Sequence, residues 1–138
     1  MILGYTAGVF DLFHIGHVNL LRGARALCDK LIVGVSTDEL VAYKHKHPVI
    51  PFVERVEVVR SSRFVDVVIP QQDQDKLEAW KRLHFDILFV GDDWYQSPSW
   101  EEYQNRFAEV GARVVYLPYT TGTSSTLINQ VLENLRAQ

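Results

Sequence analysis

The chain has 138 residues, 47% hydrophobic and 22% charged, with a formal net charge of -3. That size and balance fit one domain that buries its core without disulfides or structural metal, and a single cysteine, Cys28, excludes an internal disulfide and agrees with a reducing compartment. The acidic balance argues against bulk nucleic-acid binding. With no apolar run near the roughly 20 residues of a membrane helix and no signal-peptide pattern, the expected setting is the cytoplasm, away from membranes.

In chain order, Met1–Val9 contains a strand-like stretch, and Ile15 to Cys28 carries apolar residues at helical spacing. Lys30–Ser36 reads as a buried strand. Pro51 suits the first position of a helix running to about Ser61. Phe64–Ile69 reads as a third strand, ended by Pro70. Asp73 is placed to cap a helix carrying Leu77, Trp80 and Leu83. Asp86–Val90 is a fourth strand. Ser99 and Glu102 have capping-box spacing for a helix stopping near Gly111, and Arg113–Leu117 is a fifth strand. A last helix is expected from about Ser124 to Leu135, with Leu127, Ile128, Val131, Leu132 and Leu135 on one side.

Strands alternating with helices predict an α/β fold: a Rossmann-like, open, parallel five-stranded sheet with helices on both faces and right-handed crossovers. One domain spans residues 1–138 on this reading. The irregular stretches Thr37–Ile50 and Asp92–Pro98 follow strands, so both fall at the carboxyl edge where open α/β sheets bind ligands.

The strongest chemical signal is Gly8-Val9-Phe10-Asp11-Leu12-Phe13-His14-Ile15-Gly16-His17. A strand ends, a turn follows, and a helix begins near the histidines. A helix start presents unpaired N–H groups and the positive end of the dipole to anions. Residues three apart share a helix face, and Gly16 leaves room for an anion to approach the backbone. The segment is neither the glycine-rich Rossmann fingerprint nor a P-loop. Two histidines alone make a poor metal site. Gly122-Thr123-Ser124-Ser125-Thr126, ahead of the last helix, offers a second set of hydroxyls and N–H groups, although serine and threonine are also simply favoured helix caps.

His14-Ile15-Gly16-His17 resembles the HxGH signature of the nucleotidyltransferase superfamily, and its lead-in resembles the cytidylyltransferase branch. Tyr119-Thr120-Thr121-Gly122-Thr123-Ser124-Ser125-Thr126 matches part of that branch's second signature, R-T-x-G-I-S-T-T. The likeness runs from about Tyr5 to Leu132 and is strongest to the short bacterial glycerol-3-phosphate cytidylyltransferases. It implies transfer of CMP from CTP to glycerol 3-phosphate or a related polyol phosphate. The alternatives are an adenylyltransferase using ATP on a sugar phosphate or flavin mononucleotide, and a catalytically silent nucleotide-binding regulatory domain.

The same resemblance implies catalytic roles for His14, His17, Lys44 and Lys46. It implies nucleotide contacts at Val9, Phe10, Asp11, Gly16, Arg63, Gly91, Asp92, Thr120, Gly122, Ser124, Ser125 and Thr126. Substrate contacts fall on Lys44, Lys46, Asp38, Asp93 and Trp94, the last two belonging to a G-D-D-W match at Gly91–Trp94. Asp11 is a candidate Mg²⁺ or substrate-hydroxyl contact, and Mg²⁺ or another divalent cation is the expected cofactor. A homodimer is expected for a family member of this size. Arg55 is open between internal pairing and ligand binding, Asp66 reads as structural, and Cys28 as inert core. Tyr119 stands where the family has arginine, and Thr123 where it has isoleucine.

Overall fold

The structure is a computed structural model that describes residues 1–43, 46–92, 95, 97–118, 120 and 125–137, with residues 125 and 126 described by their backbone. The elements are β1 (Leu3–Gly8), α1 (Ile15–Ala26), β2 (Lys30–Ser36), α2 (Asp38–Tyr43), α3 (Phe52–Arg60), β3 (Val67–Gln71), α4 (Lys76–Leu83), β4 (Ile87–Gly91), α5 (Pro98–Glu109), β5 (Arg113–Leu117) and α6 (Ser125–Arg136).

The five strands pair in parallel in the order β3-β2-β1-β4-β5. The chain travels outward from β1 to β3, then crosses back to β4 on the other side of β1. Helices change face when that direction reverses. Residues of α1 and α3 (Leu21, Ala24, Val59) pack with Leu31, Val33 and Phe89 on one face. Residues of α4 and α5 (Leu77, Ala79, Trp100, Phe107) pack with Tyr5, Ile32 and Leu88 on the other. A constant crossover hand requires that switch. The point where strand order reverses, between β1 and β4, opens a crevice at their carboxyl ends.

Several boundaries differ from the sequence expectation, each for a local reason. The third strand begins at Val67 because Ser62 turns the chain first: its carbonyl accepts from Val65 N–H at 3.2 Å and its hydroxyl from Phe64 N–H at 3.3 Å. Pro70 lies inside β3, opposite Val35, rather than ending it. An edge strand tolerates proline because its outer side needs no ladder donor. The α4 cap is Asp75, whose carboxylate accepts from Leu77 N–H at 3.0 Å, while Asp73 accepts from Asp75 N–H. Helix α5 starts at Pro98 with Ser97 as its cap residue, two residues ahead of the expected cap Ser99. Pro51 is the residue before α3 rather than its first residue. The short α2 occupies part of Thr37–Ile50, which read as irregular. On α6, Leu127, Val131 and Leu135 are 46%, 49% and 60% exposed, so the apolar side expected of that helix is only partly covered.

Asp66 serves the fold, accepting from Leu31 N–H at 2.8 Å and pairing with Arg25 at 3.0 Å. Cys28 is buried, its thiol pushed up by desolvation, and donates to Ala24 O. No helix among the described residues is long and apolar enough to cross a membrane.

Candidate active site at the carboxyl edge

The turn between β1 and α1 is backbone-strained. Phe10 (φ 54°) and Leu12 (φ 51°) both hold the left-handed conformation without being glycine. Such residues cost of order 1–3 kcal/mol each and persist where the surroundings over-determine them. Here the turn places His14 as the cap of α1 and His17 in its first turn. The two residues cap each other reciprocally. His14 Nδ1 accepts from Gly16 N–H at 3.0 Å, and His17 Nδ1 accepts from His14 N–H at 3.1 Å. This is a capping box with imidazoles in both roles.

The caps fix the tautomers. A neutral imidazole whose Nδ1 accepts carries its proton on Nε2, so each ring offers Nε2–H as a donor. The ring centroids lie 4.0 Å apart. His17 is clamped by Phe13, stacked at 5.2 Å, and by Phe10, tilted at 5.3 Å. Desolvation, and secondly the neighbouring His14, lower the His17 pKa to about 4, against a raising influence from Asp11. Burial lowers His14 as well. At neutral pH both rings are uncharged, fixed donors.

Gly16 is required by its neighbour. A Cβ there would stand 2.7 Å from His14 Cε1 and 3.0 Å from its Nδ1. Gly16→Ala must therefore displace the His14 ring and its cap bond. With the catalytic role that the HxGH resemblance implies for His14, we expect turnover to fall at least about tenfold, while the melting temperature moves by a few degrees at most; steady-state kinetics beside a thermal melt checks both.

A cavity of about 390 Å³ opens at this edge, within the usual range for small-molecule sites. It is lined by Val9, Phe10, Asp11 and His17 from the β1–α1 turn, by Val41 of α2, by Lys46, His47 and Pro48, and by Asn129 of α6. Asn129 stands four residues beyond Ser125, one helical turn from the start of α6. The segment leading to α6 also reaches α1: Asn19 Nδ2 donates to Thr120 Oγ1 at 3.1 Å, and Thr120 Cβ lies 3.7 Å from where a Gly16 Cβ would be. Thr120 thus touches α1, and Asn129 of α6 lines the same cavity as His17.

The other candidate residues divide. Asp11 is 7% exposed and braced. Its Oδ1 accepts from Leu12 N–H and Ile50 N–H, and its Oδ2 from Val49 N–H. Asp38 pairs with Arg55 at 2.6 Å and accepts from Phe52 N–H at 3.2 Å. Arg55 is buried and bonded within the fold, which settles its role toward internal pairing. Arg63 lies over the Phe64 ring, 5.0 Å from its centroid, and does not line the cavity. Gly91 ends β4 opposite Leu117, and Asp92 opens the following turn, its carbonyl accepting from Tyr95 N–H at 3.0 Å. Lys44, Asp93, Trp94, Gly122 and Ser124 lie outside the described residues. Ser125 and Thr126 are the first residues of α6.

The sequence motifs point to none of Val41, His47, Pro48 and Asn129. A polar Asn129 between Ile128 and Val131 on an amphipathic helix was the available hint. For a metal, the described residues hold no group of three His, Cys, Asp or Glu, and the Asp11 oxygens already take backbone donors. They do not build a protein cage for Mg²⁺.

The strand–turn–helix with its paired imidazoles and the cavity beside it thus stand at the carboxyl edge, where open α/β sheets bind ligands. Comparison with known proteins gives the family. The cytidylyltransferase-like family model matches residues 5–131. Glycerol-3-phosphate cytidylyltransferase of Staphylococcus aureus (strain NCTC 8325 / PS 47) is 38% identical over 131 residues, covering 92% of each chain. FAD synthase of Pyrococcus horikoshii is 35% identical over 134 residues, covering 94% of this chain and 89% of the relative. A lipopolysaccharide core biosynthesis protein from Thermoplasma volcanium GSS1 superposes with a TM-score of 0.74 at 25% identity, over 89% of this chain and 99% of its own. The chain belongs to the cytidylyltransferase-like family and is a nucleotidyltransferase.

Proposed function

We propose that this enzyme transfers CMP from CTP to glycerol 3-phosphate or a related polyol phosphate, releasing pyrophosphate and giving a CDP-alcohol. The observation that carries this reading is the His14–His17 capping pair, which leaves both Nε2–H groups free to donate, His17 in the wall of a cavity that Asn129 of α6 also lines. Three relatives that are glycerol-3-phosphate cytidylyltransferases, at 35–38% identity, support the substrate pair.

In the reaction, a phosphate oxygen of the acceptor attacks the α-phosphorus of the nucleotide. A new P–O bond forms, the α–β bridging bond breaks, and pyrophosphate leaves with the bond's electron pair. Negative charge builds on the non-bridging and bridging oxygens. Donors already oriented toward that charge stabilise the transition state without reorganising. His14 and His17 serve as those donors, Lys46 adds a mobile positive charge at the cavity wall, and Asn129 adds an amide. No covalent enzyme intermediate is needed; positioning and electrostatics suffice.

Mg²⁺ enters on this reading with the triphosphate, as part of the substrate, since Mg²⁺ is commonly held by phosphates and waters. Excess chelator is expected to abolish pyrophosphate release and added Mg²⁺ to restore it; full activity in chelator would refute the requirement. A cytoplasmic homodimer is inferred, and the exposed Leu127, Val131 and Leu135 of α6 give a second copy apolar surface to cover.

A second reading, adenylyl transfer from ATP to flavin mononucleotide or a sugar phosphate, is favoured by the FAD synthase relatives, and Tyr119 in place of the family arginine weakens the preference for CTP. A silent regulatory domain is the third, and the intact histidine pair argues against it. The deciding experiment is a screen of the four nucleoside triphosphates against alcohol phosphates and flavin mononucleotide, read by pyrophosphate release. CTP with a polyol phosphate supports the proposal. ATP with flavin mononucleotide replaces it with the second reading, and tight nucleotide binding with no turnover supports the third.

A further inference from the structure

The buried Arg55 side chain is 1% exposed and joins four separate segments at the carboxyl edge. Its Nε donates to Ile50 O at 2.9 Å, one terminal nitrogen donates to Val9 O and to Ser36 O at 2.8 Å each, and the other to Asp38 at 2.6 Å. A buried guanidinium needs this degree of satisfaction to be tolerated. The segments joined are the exits of β1 and β2, the start of α2 and the residues before α3.

Two carboxylates complete the arrangement on the same stretch of chain. Asp11 accepts from Val49 N–H at 2.8 Å and Ile50 N–H at 2.9 Å, and Asp38 accepts from Phe52 N–H at 3.2 Å. Residues 49–52 are therefore held by charged side chains on both the donor and acceptor sides of their backbone. They are continuous with Lys46, His47 and Pro48, which form one wall of the cavity. Lys46 N–H also donates to Val41 O of α2 at 3.3 Å, and residues 46–50 themselves form no strand or helix.

We propose that Arg55, with Asp11 and Asp38, is a positioning residue that fixes the 46–50 segment against the β1 exit and so sets where Lys46 stands at the phosphate site. Arg55 itself touches no substrate. The idea rests on the functional reading above for its effect on turnover, but the brace is a property of the protein alone. Lysine cannot replace it, since a single ammonium does not reproduce a planar fork bonded in four directions.

The test uses Arg55→Lys, with Asp38→Asn as the milder variant should Arg55→Lys fail to fold. The first readout is trypsin cleavage of the native protein at the Lys46–His47 bond, mapped by mass spectrometry well below each variant's own melting temperature. Local opening of the segment is expected to speed that cut about tenfold or more. The second is a kinetic cycle with Lys46→Ala. A residue acting through Lys46 loses most of its effect once Lys46 is gone, so the combined loss in kcat/KM should fall short of the product of the single losses by about tenfold. An unchanged cleavage rate in a folded variant, or losses that multiply independently, overturns the proposal. Absence of turnover in the wild-type protein with every substrate pair would sink the functional reading instead, and the cleavage comparison would still judge the brace.

Discussion

His17→Ala is expected to lower kcat by about 10²–10³-fold, the loss seen when one preorganised donor, worth about 2.7–4 kcal/mol of transition-state stabilisation, is removed. The expectation comes from position. His17 lines the cavity, its ring is held between Phe10 and Phe13, and its Nδ1 is occupied by the His14 N–H, so Nε2 faces the task of donation in one fixed tautomer. The substitution also removes a capping acceptor, which typically destabilises by about 1 kcal/mol. Turnover should thus collapse while the protein stays folded. His17→Gln, which keeps a side-chain acceptor at the capping-box position, should recover stability and not rate. Stopped or continuous pyrophosphate assays beside urea denaturation separate the two effects. Normal turnover in folded His17→Ala would remove His17 from the chemistry.

The same residue should make the protein acid-sensitive. In the unfolded chain an imidazole takes up its proton near pH 6.5, whereas His17 in the fold does so only near 4, chiefly because burial disfavours the charged ring. Between those values the unfolded state binds more protons, so stability falls as pH falls through the window from 6.5 to about 4 and is fully retained above it. The loss attributable to His17 approaches about 2–3 kcal/mol for a shift of this size in a partly accessible ring. His14, lowered by burial, acts in the same direction. Carboxylates titrate in this range too, so the useful quantity is a difference. Denaturation free energies of the wild type and His17→Gln, measured at pH 7, 5.5 and 4.5, should separate as the pH drops, the wild type losing more stability than the variant. Parallel curves would show that His17 titrates alike in both states.

Much of this is legible in the amino-acid sequence alone. Lys30–Ser36 and Arg113–Leu117 are strand runs of β-branched and aliphatic residues, and both appear with the expected bounds. The parallel sheet followed from alternation, and the carboxyl edge as ligand side followed from the sheet. The strand–turn–helix around His14 and His17 was visible because helix starts and their caps are local features. What failed to show was tertiary. Asp73 and Asp75 are equal cap candidates in sequence, and only the fold makes Asp75 the cap of α4. Pro70 signals a strand end unless the strand lies at the sheet edge, which depends on strand order. The roles of Arg55, Asp11 and Asp38 depend on backbone atoms up to 46 residues away in the chain, beyond the reach of any local pattern. Asn129 enters the site only because α6 docks across from α1.

A crystal structure with CTP or a non-hydrolysable analogue bound would test most directly whether paired imidazoles and a second helix start grip one polyphosphate. The expected result is a triphosphate in the cavity between α1 and α6, with the Nε2 atoms of His14 and His17 about 2.7–3.2 Å from phosphate oxygens and Asn129 on the facing wall. A nucleotide bound elsewhere, with both Nε2 atoms out of reach of its phosphates, would contradict it.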